Sequence, residues 1–248
     1  MRPGLKALAD VEQLKSRMAA YEKQFPFATA LALTRTAQTG AAAVSRAMEN
    51  RFDRPTPWAL RGTFIKPASY KDANPSAEVF LKTDGLGGTP AVKFLYPEVR
   101  GGKRNLKRYE RALQVAGILP RGMFTVPGSR VKLDRYGNMS AGLINARLSQ
   151  LRVNPDQYQN ATDSRRSRRT RRLRGGFFVV RPGDRLKPAG VWYRNPNQKR
   201  SIYPFLVFVS RAGYRPRLPF DDIVTTAFNQ TFATNFDDAL GKAIASSR

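Results

Sequence analysis

The longest periodic stretch of the chain lies near its C-terminal end, where Phe220, Val224, Phe228, Phe232, Phe236, Leu240 and Ile244 recur every four residues. A helical turn takes about 3.6 residues, so each step of four advances the stripe by about 40° and it winds more than halfway round a helix over 220–247. One flat core cannot cover such a stripe. The pattern predicts either a break near Asn229 or Asn235, or a helix whose halves are buried against different things, its own domain and a neighbouring subunit. A far half that simply exposes its aromatics is the plain alternative. Pro219 at the mouth and Asp221 and Asp222 in the first turn mark the start, where the helix dipole favours negative charge.

Elsewhere the spacing predicts a helix over 10–24, with Val11, Leu14, Met18 and Tyr21 on one face, ended by Phe25-Pro26. A second, alanine-rich helix follows over 27–52. Its Ala28, Ala32, Ala37, Ala41 and Ala47 would let a packed helix approach closely, and Gly40 marks a kink. Thr56-Pro57 caps a short helix. Strands are predicted over 63–65, 78–82, 123–126 and 131–133, and helices over 89–99, 105–116 and 140–151. Runs of β-branched and aromatic residues over 176–181, 191–194 and 202–209, separated by Pro182-Gly183-Asp184 and Asn195-Pro196-Asn197, predict an antiparallel meander with the final helix packed on it. The expected class is α+β: alanine-rich N-terminal helices, a small antiparallel sheet and a long C-terminal helix. The expected organisation is a helical part with short strands over 1–154, a flexible arginine-rich loop over 155–175, and the meander plus final helix over 176–248, or all of these as one continuous domain.

Charge changes this picture. The 248 residues carry 44 Lys and Arg against 18 Asp and Glu, a net +26. Such a charge attracts polyanions and works against an isolated compact chain, so nucleic acid or acidic protein neighbours are expected. Between Arg165 and Arg174, seven of ten residues are arginine: Arg165, Arg166, Arg168, Arg169, Arg171, Arg172 and Arg174. These are the candidate contacts to DNA or to an acidic partner groove, with a solvated loop tip as the alternative. The block holds no aromatic residue to stack on bases, which points to backbone binding without sequence readout.

Chemistry is scarce. Cysteine and histidine are absent, which removes thiol chemistry, disulfides and every triad built on imidazole. Asp221 with Asp222 and Asp237 with Asp238 are adjacent on a helix and point about 100° apart, so they do not converge on a metal. The glycine-rich Asp84-Gly85-Leu86-Gly87-Gly88 lacks the Gly-Lys-Ser/Thr of a phosphate loop and reads as a turn. No catalytic, cofactor or metal residues are expected. No apolar run spans a membrane and no signal-peptide pattern opens the chain, so the expectation is a protein that stays in the cytoplasm where it is made.

Three blocks carry a resemblance. The first is Ala30-Leu31-Ala32-Leu33-Thr34-Arg35-Thr36-Ala37, continuing to Thr63-Phe64-Ile65-Lys66-Pro67. The second is Gly101-Gly102-Lys103-Arg104 through Leu119-Pro120-Arg121-Gly122-Met123, with Leu133-Asp134-Arg135-Tyr136-Gly137-Asn138-Met139-Ser140. The third is the arginine-rich middle with the closing strand, basic link and helix from Tyr203 through Leu240. Together they resemble the minor tail protein Z type of tail-completion proteins of lambda-like phages and prophages. The resemblance implies a non-enzymatic virion protein at the head–tail neck, a tail-terminator or tail-completion component forming a homo-oligomeric ring. Its implied partners are portal, head-completion or tail proteins and packaged DNA bound non-specifically, with no membrane. On that view Phe220, Val224, Phe228, Phe232, Phe236 and Leu240 form the subunit interface. The alternative is a basic nucleic-acid-binding module of ribosomal or nucleoid type.

Overall fold

The computed structural model describes residues 4–84, 88–195 and 201–246, with the backbone alone for 4–17, 19–21, 23 and 170–174. The chain divides into two units. The first joins residues 1–100 to 216–248, and the second is residues 101–215. The second is thus an insertion in the first, and the boundaries expected at 154 and 175 do not hold. The α+β class does hold.

The first unit is built on α1 (Gly4–Arg51), which runs unbroken through Pro26. A helix-interior proline costs about 3 kcal/mol, which is why the sequence predicts two helices there. Packing beside Pro26 offsets it: Ala28 is fully buried, and the Phe25 ring meets Phe236 edge-on at 5.3 Å. Buried residues then recur every four positions along α1, at Ala28, Ala32, Thr36, Gly40, Val44 and Met48. Their partner is α7 (Phe220–Ser246), whose buried Phe220, Ala227, Ala239 and Ala243 share its inner face with half-buried Thr231 and Asn235. The two helices are antiparallel: Gly40 lies against Val224 and Ala227, Thr36 accepts a 3.0 Å hydrogen bond from Asn235, and Phe25 meets Phe236. Small residues on both sides are what permit so long an approach.

Gly40 makes this seam testable. A Cβ there would sit 3.6 Å from the nearest Val224 carbon, an ordinary contact. Gly40→Ala should therefore raise the stability of this unit by about 0.5–1 kcal/mol through helix propensity. Gly40→Leu should lower it by about 1–3 kcal/mol by forcing the helices apart. Urea unfolding of the two variants checks the opposite signs.

Around the α1–α7 pair stand α2 (Pro57–Leu60), the hairpin of β1 (Thr63–Lys66) and β2 (Glu78–Leu81), and α3 (Ala91–Arg100). As expected, Thr56 caps α2, accepting from Ala59 N–H at 3.1 Å. Val44, Met48, Ala91, Leu95, Leu218 and Phe220 form the core, with Val79 and Leu81 of β2 against it, so α7 shares a core with this hairpin at its first turns. Buried Glu98 of α3 holds the Arg217 guanidinium through two 2.8 Å bonds, and its carbonyl accepts from the Arg217 and Leu218 N–H groups. That clamp fixes the basic link from which α7 starts.

The second unit opens and closes on one ladder, β3 (Gly102–Lys103) with β8 (Gly213–Tyr214). Inside it, β4 (Phe124–Pro127), β5 (Gly176–Val180), β6 (Gly190–Arg194) and β7 (Ile202–Val209) make an antiparallel sheet in the order β4-β7-β6-β5. The expected meander is present, with β4 added at its edge; residues 131–133, expected as a strand, are not one. Helices α4 (Arg108–Val115) and α5 (Ala141–Gln150) supply Tyr109, Leu113 and Leu148 to a core with Val191, Phe205, Leu206 and Phe208. The final helix belongs to the first unit, not to that of the meander, because its small-residue seam matches α1 across nearly the whole length of the chain.

Candidate nucleic-acid and subunit interfaces

The charge is not spread evenly. Residues 101–215 hold 26 of the 44 Lys and Arg but 5 of the 18 Asp and Glu, so the inserted unit carries +21 and the other +5. Within the inserted unit the arginine block is α6 (Arg165–Arg174), a helix and not the flexible loop expected from its composition. Arginine is a good helix former, and both ends of the block are tied down. The Ser164 hydroxyl accepts from Ser167 N–H at 3.2 Å as N-cap. Asp163, one residue before it, pairs with Arg152, and its carbonyl accepts from Arg168 Nε at 2.7 Å. At the other end Gly175 takes φ +84°, and a Cβ on it would meet the Arg194 carbonyl and the Tyr193 hydroxyl at 2.5 Å. Only glycine fits that exit.

The preceding loop is ordered by its own amides. Asn154 N–H donates to Asn160 Oδ1 at 2.9 Å, Asp156 N–H donates to Asn154 Oδ1 at 3.0 Å, and the Ser149 hydroxyl donates to the Gln159 carbonyl. Polar side chains that cap backbone groups, not an apolar core, position this segment. Of the predicted contacts, Arg165, Arg166, Arg168 and Arg169 stand exposed on α6. The side chains of Arg171, Arg172 and Arg174 lie outside the described residues, as does the centre of the glycine-rich turn at 85–87.

Helix α6 is electrostatically uncomfortable. Along it arginine follows arginine at i+3 or i+4 seven times, with no acidic residue inside the helix. Each like-charge pair costs about 0.2–0.5 kcal/mol, and Arg165 and Arg166 sit at the end where the dipole favours anions.

In the first unit, α7 does not break. Asn235 is half-buried and hydrogen-bonded to Thr36, and Asn229 is exposed within the helix. Phe220 is 8% exposed and sits in the core, and Val224 packs on that core beside Gly40; both leave the predicted subunit interface. The inner face is taken by Ala227, Thr231, Asn235, Ala239 and Ala243, so the phenyl rings are displaced to its flank. There Phe228, 42% exposed, stacks on Phe232 (centroids 4.9 Å, planes 16° apart), and Phe232 stacks on Phe236 (6.2 Å, 30°). Leu240 is half-buried on the next turn. Asp221 pairs with Arg100 at 2.7 Å, while Asp222, Asp237 and Asp238 are exposed. This helix carries −3 in a chain of +26.

The buried polar groups escaped the sequence reading, and Glu110 is the most enclosed of them. Glu110 of α4 is 0% exposed. Arg104 donates to both of its oxygens at 2.6 and 2.7 Å, Lys107 N–H donates at 2.7 Å, and Thr125 donates its N–H at 2.8 Å and its hydroxyl at 2.9 Å. Burial pushes the carboxyl up, but these donors outweigh it and hold Glu110 below the ordinary carboxylate range. The Lys107-to-Glu110 spacing is the one sequence signal available, a glutamate three residues past a helix start. The cluster ties α4 to β4, and with Arg104 N–H donating to the Ala212 carbonyl it also ties both to the segment before β8.

Among the described residues, no three His, Cys, Asp or Glu side chains could share a metal ion, and no helix is long and apolar enough to cross a membrane. Compared with models of protein families, with curated proteins and with solved structures, the chain matches none.

Proposed function

We propose that this protein is a structural component of a tailed-bacteriophage particle, a neck, tail-terminator or tail-completion protein that forms a homo-oligomeric ring near the DNA channel. The observation that carries the reading is the division of charge between the units. A +21 insertion suits packaged DNA, and a first unit of +5 with an acidic, aromatic-flanked helix suits protein neighbours. The sequence resemblance to tail-completion proteins supports the same assignment. In this reading α6 faces phosphate, while Phe228, Phe232, Phe236 and Leu240 meet the next subunit. Portal, head-completion or tail proteins cover the remaining faces.

Quantitative mass spectrometry of purified particles, counting this chain against the portal subunit, tests it. A ratio corresponding to a closed ring of about six or twelve copies is the expected result. Absence from particles, with enrichment in the nucleic-acid fraction of the cell, would replace this reading with the basic nucleic-acid-binding module.

A further inference from the structure

We infer that Tyr158 is a base-stacking residue, so that the inserted unit takes nucleic acid with unpaired bases, a single strand laid across Tyr158 and the first turns of α6. The inference rests on the DNA-facing role given to the insertion above, and it adds the form of the nucleic acid and the side chain that selects it. Arginine holds phosphate whether or not the bases are paired. Stacking on an open base face needs an aromatic ring, and the arginine block has none. The fold supplies one from outside the block. Tyr158 is 101% exposed, a ring as open as in an extended peptide. Every other aromatic ring among the described residues of the inserted unit is buried or half-buried.

The open ring stands on an ordered base. Tyr158 is the middle residue of a single 3-10 turn, Gln157–Gln159. One carboxylate oxygen of Asp156 accepts from Tyr158 N–H at 3.1 Å, and the other accepts from the Gln159 side-chain amide at 2.9 Å. The Asn160 side chain accepts from Asn154 N–H at 2.9 Å and donates to the Asn154 carbonyl at 3.2 Å, which closes the loop on itself. Ala161 N–H donates to the Ser149 carbonyl at 3.0 Å and ties the loop to the end of α5. None of these bonds uses the Tyr158 ring. The loop is complete without it, and ordering the backbone costs nothing further when a partner binds the ring, which has only two χ angles left to fix.

Charge and position point to the partner. The +21 of the unit favours a polyanion. Seven residues separate Tyr158 from Arg165, at most about 25 Å of chain. The ring and the exposed Arg165, Arg168 and Arg169 therefore fall within one single-strand site of about 4–16 nucleotides. A continuous duplex keeps its base faces inside the stack and offers the ring none.

Binding of an oligo-dT of about 12 bases to the full chain, measured across a salt series, tests the assignment. Tyr158→Ala should weaken binding at least about fivefold, and Tyr158→Phe should keep nearly the wild-type affinity. The slope of log affinity against log salt should be the same for Tyr158→Ala and wild type, because stacking releases no counterion, whereas Arg165→Gln should make it shallower by about 0.7. Unchanged affinity of Tyr158→Ala would overturn the inference. An equal loss against polyphosphate, which has the charge and no bases, or against a blunt-ended duplex of the same length would do so too.

Two further readouts separate stacking from a structural role. In a Trp58→Phe background, Tyr158→Ala should leave the urea midpoint of Trp192 fluorescence where it is; a lower midpoint would make the ring part of the fold and remove the proposal. In the same background Tyr158→Trp places an open indole at the site, and oligo-dT should quench its emission while polyglutamate does not. Quenching by polyglutamate to the same depth would move the site to an acidic protein partner and sink the nucleic-acid assignment. The particle count stands apart from these results. A ring protein that binds duplex through α6 alone keeps the proposed function and loses this inference, whereas absence from particles with Tyr158-dependent binding of the strand keeps the inference and loses the virion reading.

Discussion

Glu110→Ala is expected to destabilise residues 101–215 by about 3–5 kcal/mol, the scale of removing one partner of a buried ion pair. Glu110 is wholly enclosed, and its loss strands the Arg104 guanidinium, itself largely enclosed, along with the N–H groups of Lys107 and Thr125. The chain provides its own reporter. Trp192 is buried in this unit with its indole N–H donating to the Pro188 carbonyl at 2.9 Å, whereas Trp58 is 45% exposed in the other unit. In a Trp58→Phe background, the urea midpoint of Trp192 fluorescence should fall by roughly 2 M. An unchanged midpoint would mean that the Glu110 cluster contributes little to the insertion.

The same residue predicts a pH dependence with a definite sign. Because the folded carboxyl binds its proton more weakly than the unfolded one, its contribution is complete above the ordinary glutamate range and fades as pH falls through that range toward the depressed folded value. The stability gap between wild type and Glu110→Gln should therefore narrow between about pH 6 and about pH 3. A gap that widens on acidification would reverse the assignment of Glu110 as an ionised hub.

How much of this was legible in the sequence depends on how local each element is. The short helix at Pro57, the meander strands and the Ser140-capped helix follow from turn chemistry and periodicity within a dozen residues, and the structure reproduces them. The domain division does not follow from local signals. Its cause is the match between an alanine seam at 28–48 and another at 227–243, which a reading from one end to the other treats as unrelated helices. Pro26 misled for the same reason, since propensity alone ends a helix that packing sustains. The arginine block misled in the opposite direction. Its composition predicts disorder, but the ties at its ends come from Arg152, which pairs with Asp163, and from Arg194, which pairs with Gly176 in the β5–β6 ladder, and spacing within the block cannot reveal them. Of the proposed subunit interface, the four-residue period was visible, but that period could not tell the buried Phe220 from the exposed Phe228.

That distinction sets the last expectation. Phe228→Gln with Phe232→Gln should weaken self-association at least about 100-fold, or about 2.7 kcal/mol, while changing the stability of the first unit by less than about 1 kcal/mol. The two rings stack on one another beside the seam, not in it, so their removal leaves the alanine contacts with α1 in place. Stacked, rotamer-poor aromatics on a helix flank are the kind of group that concentrates binding energy at an interface. Their setting also answers a problem that the charge poses. Copies of a +26 chain repel one another, and contact is favoured where the local field is reversed. Helix α7, at −3 with Asp222, Asp237 and Asp238 exposed, is the place on which this expectation rests. Sedimentation of wild type and the double variant at matched concentration and salt reads the outcome. Unchanged assembly would place the subunit contact on another surface, whereas collapse of the fold itself would show that the rings belong to the core after all.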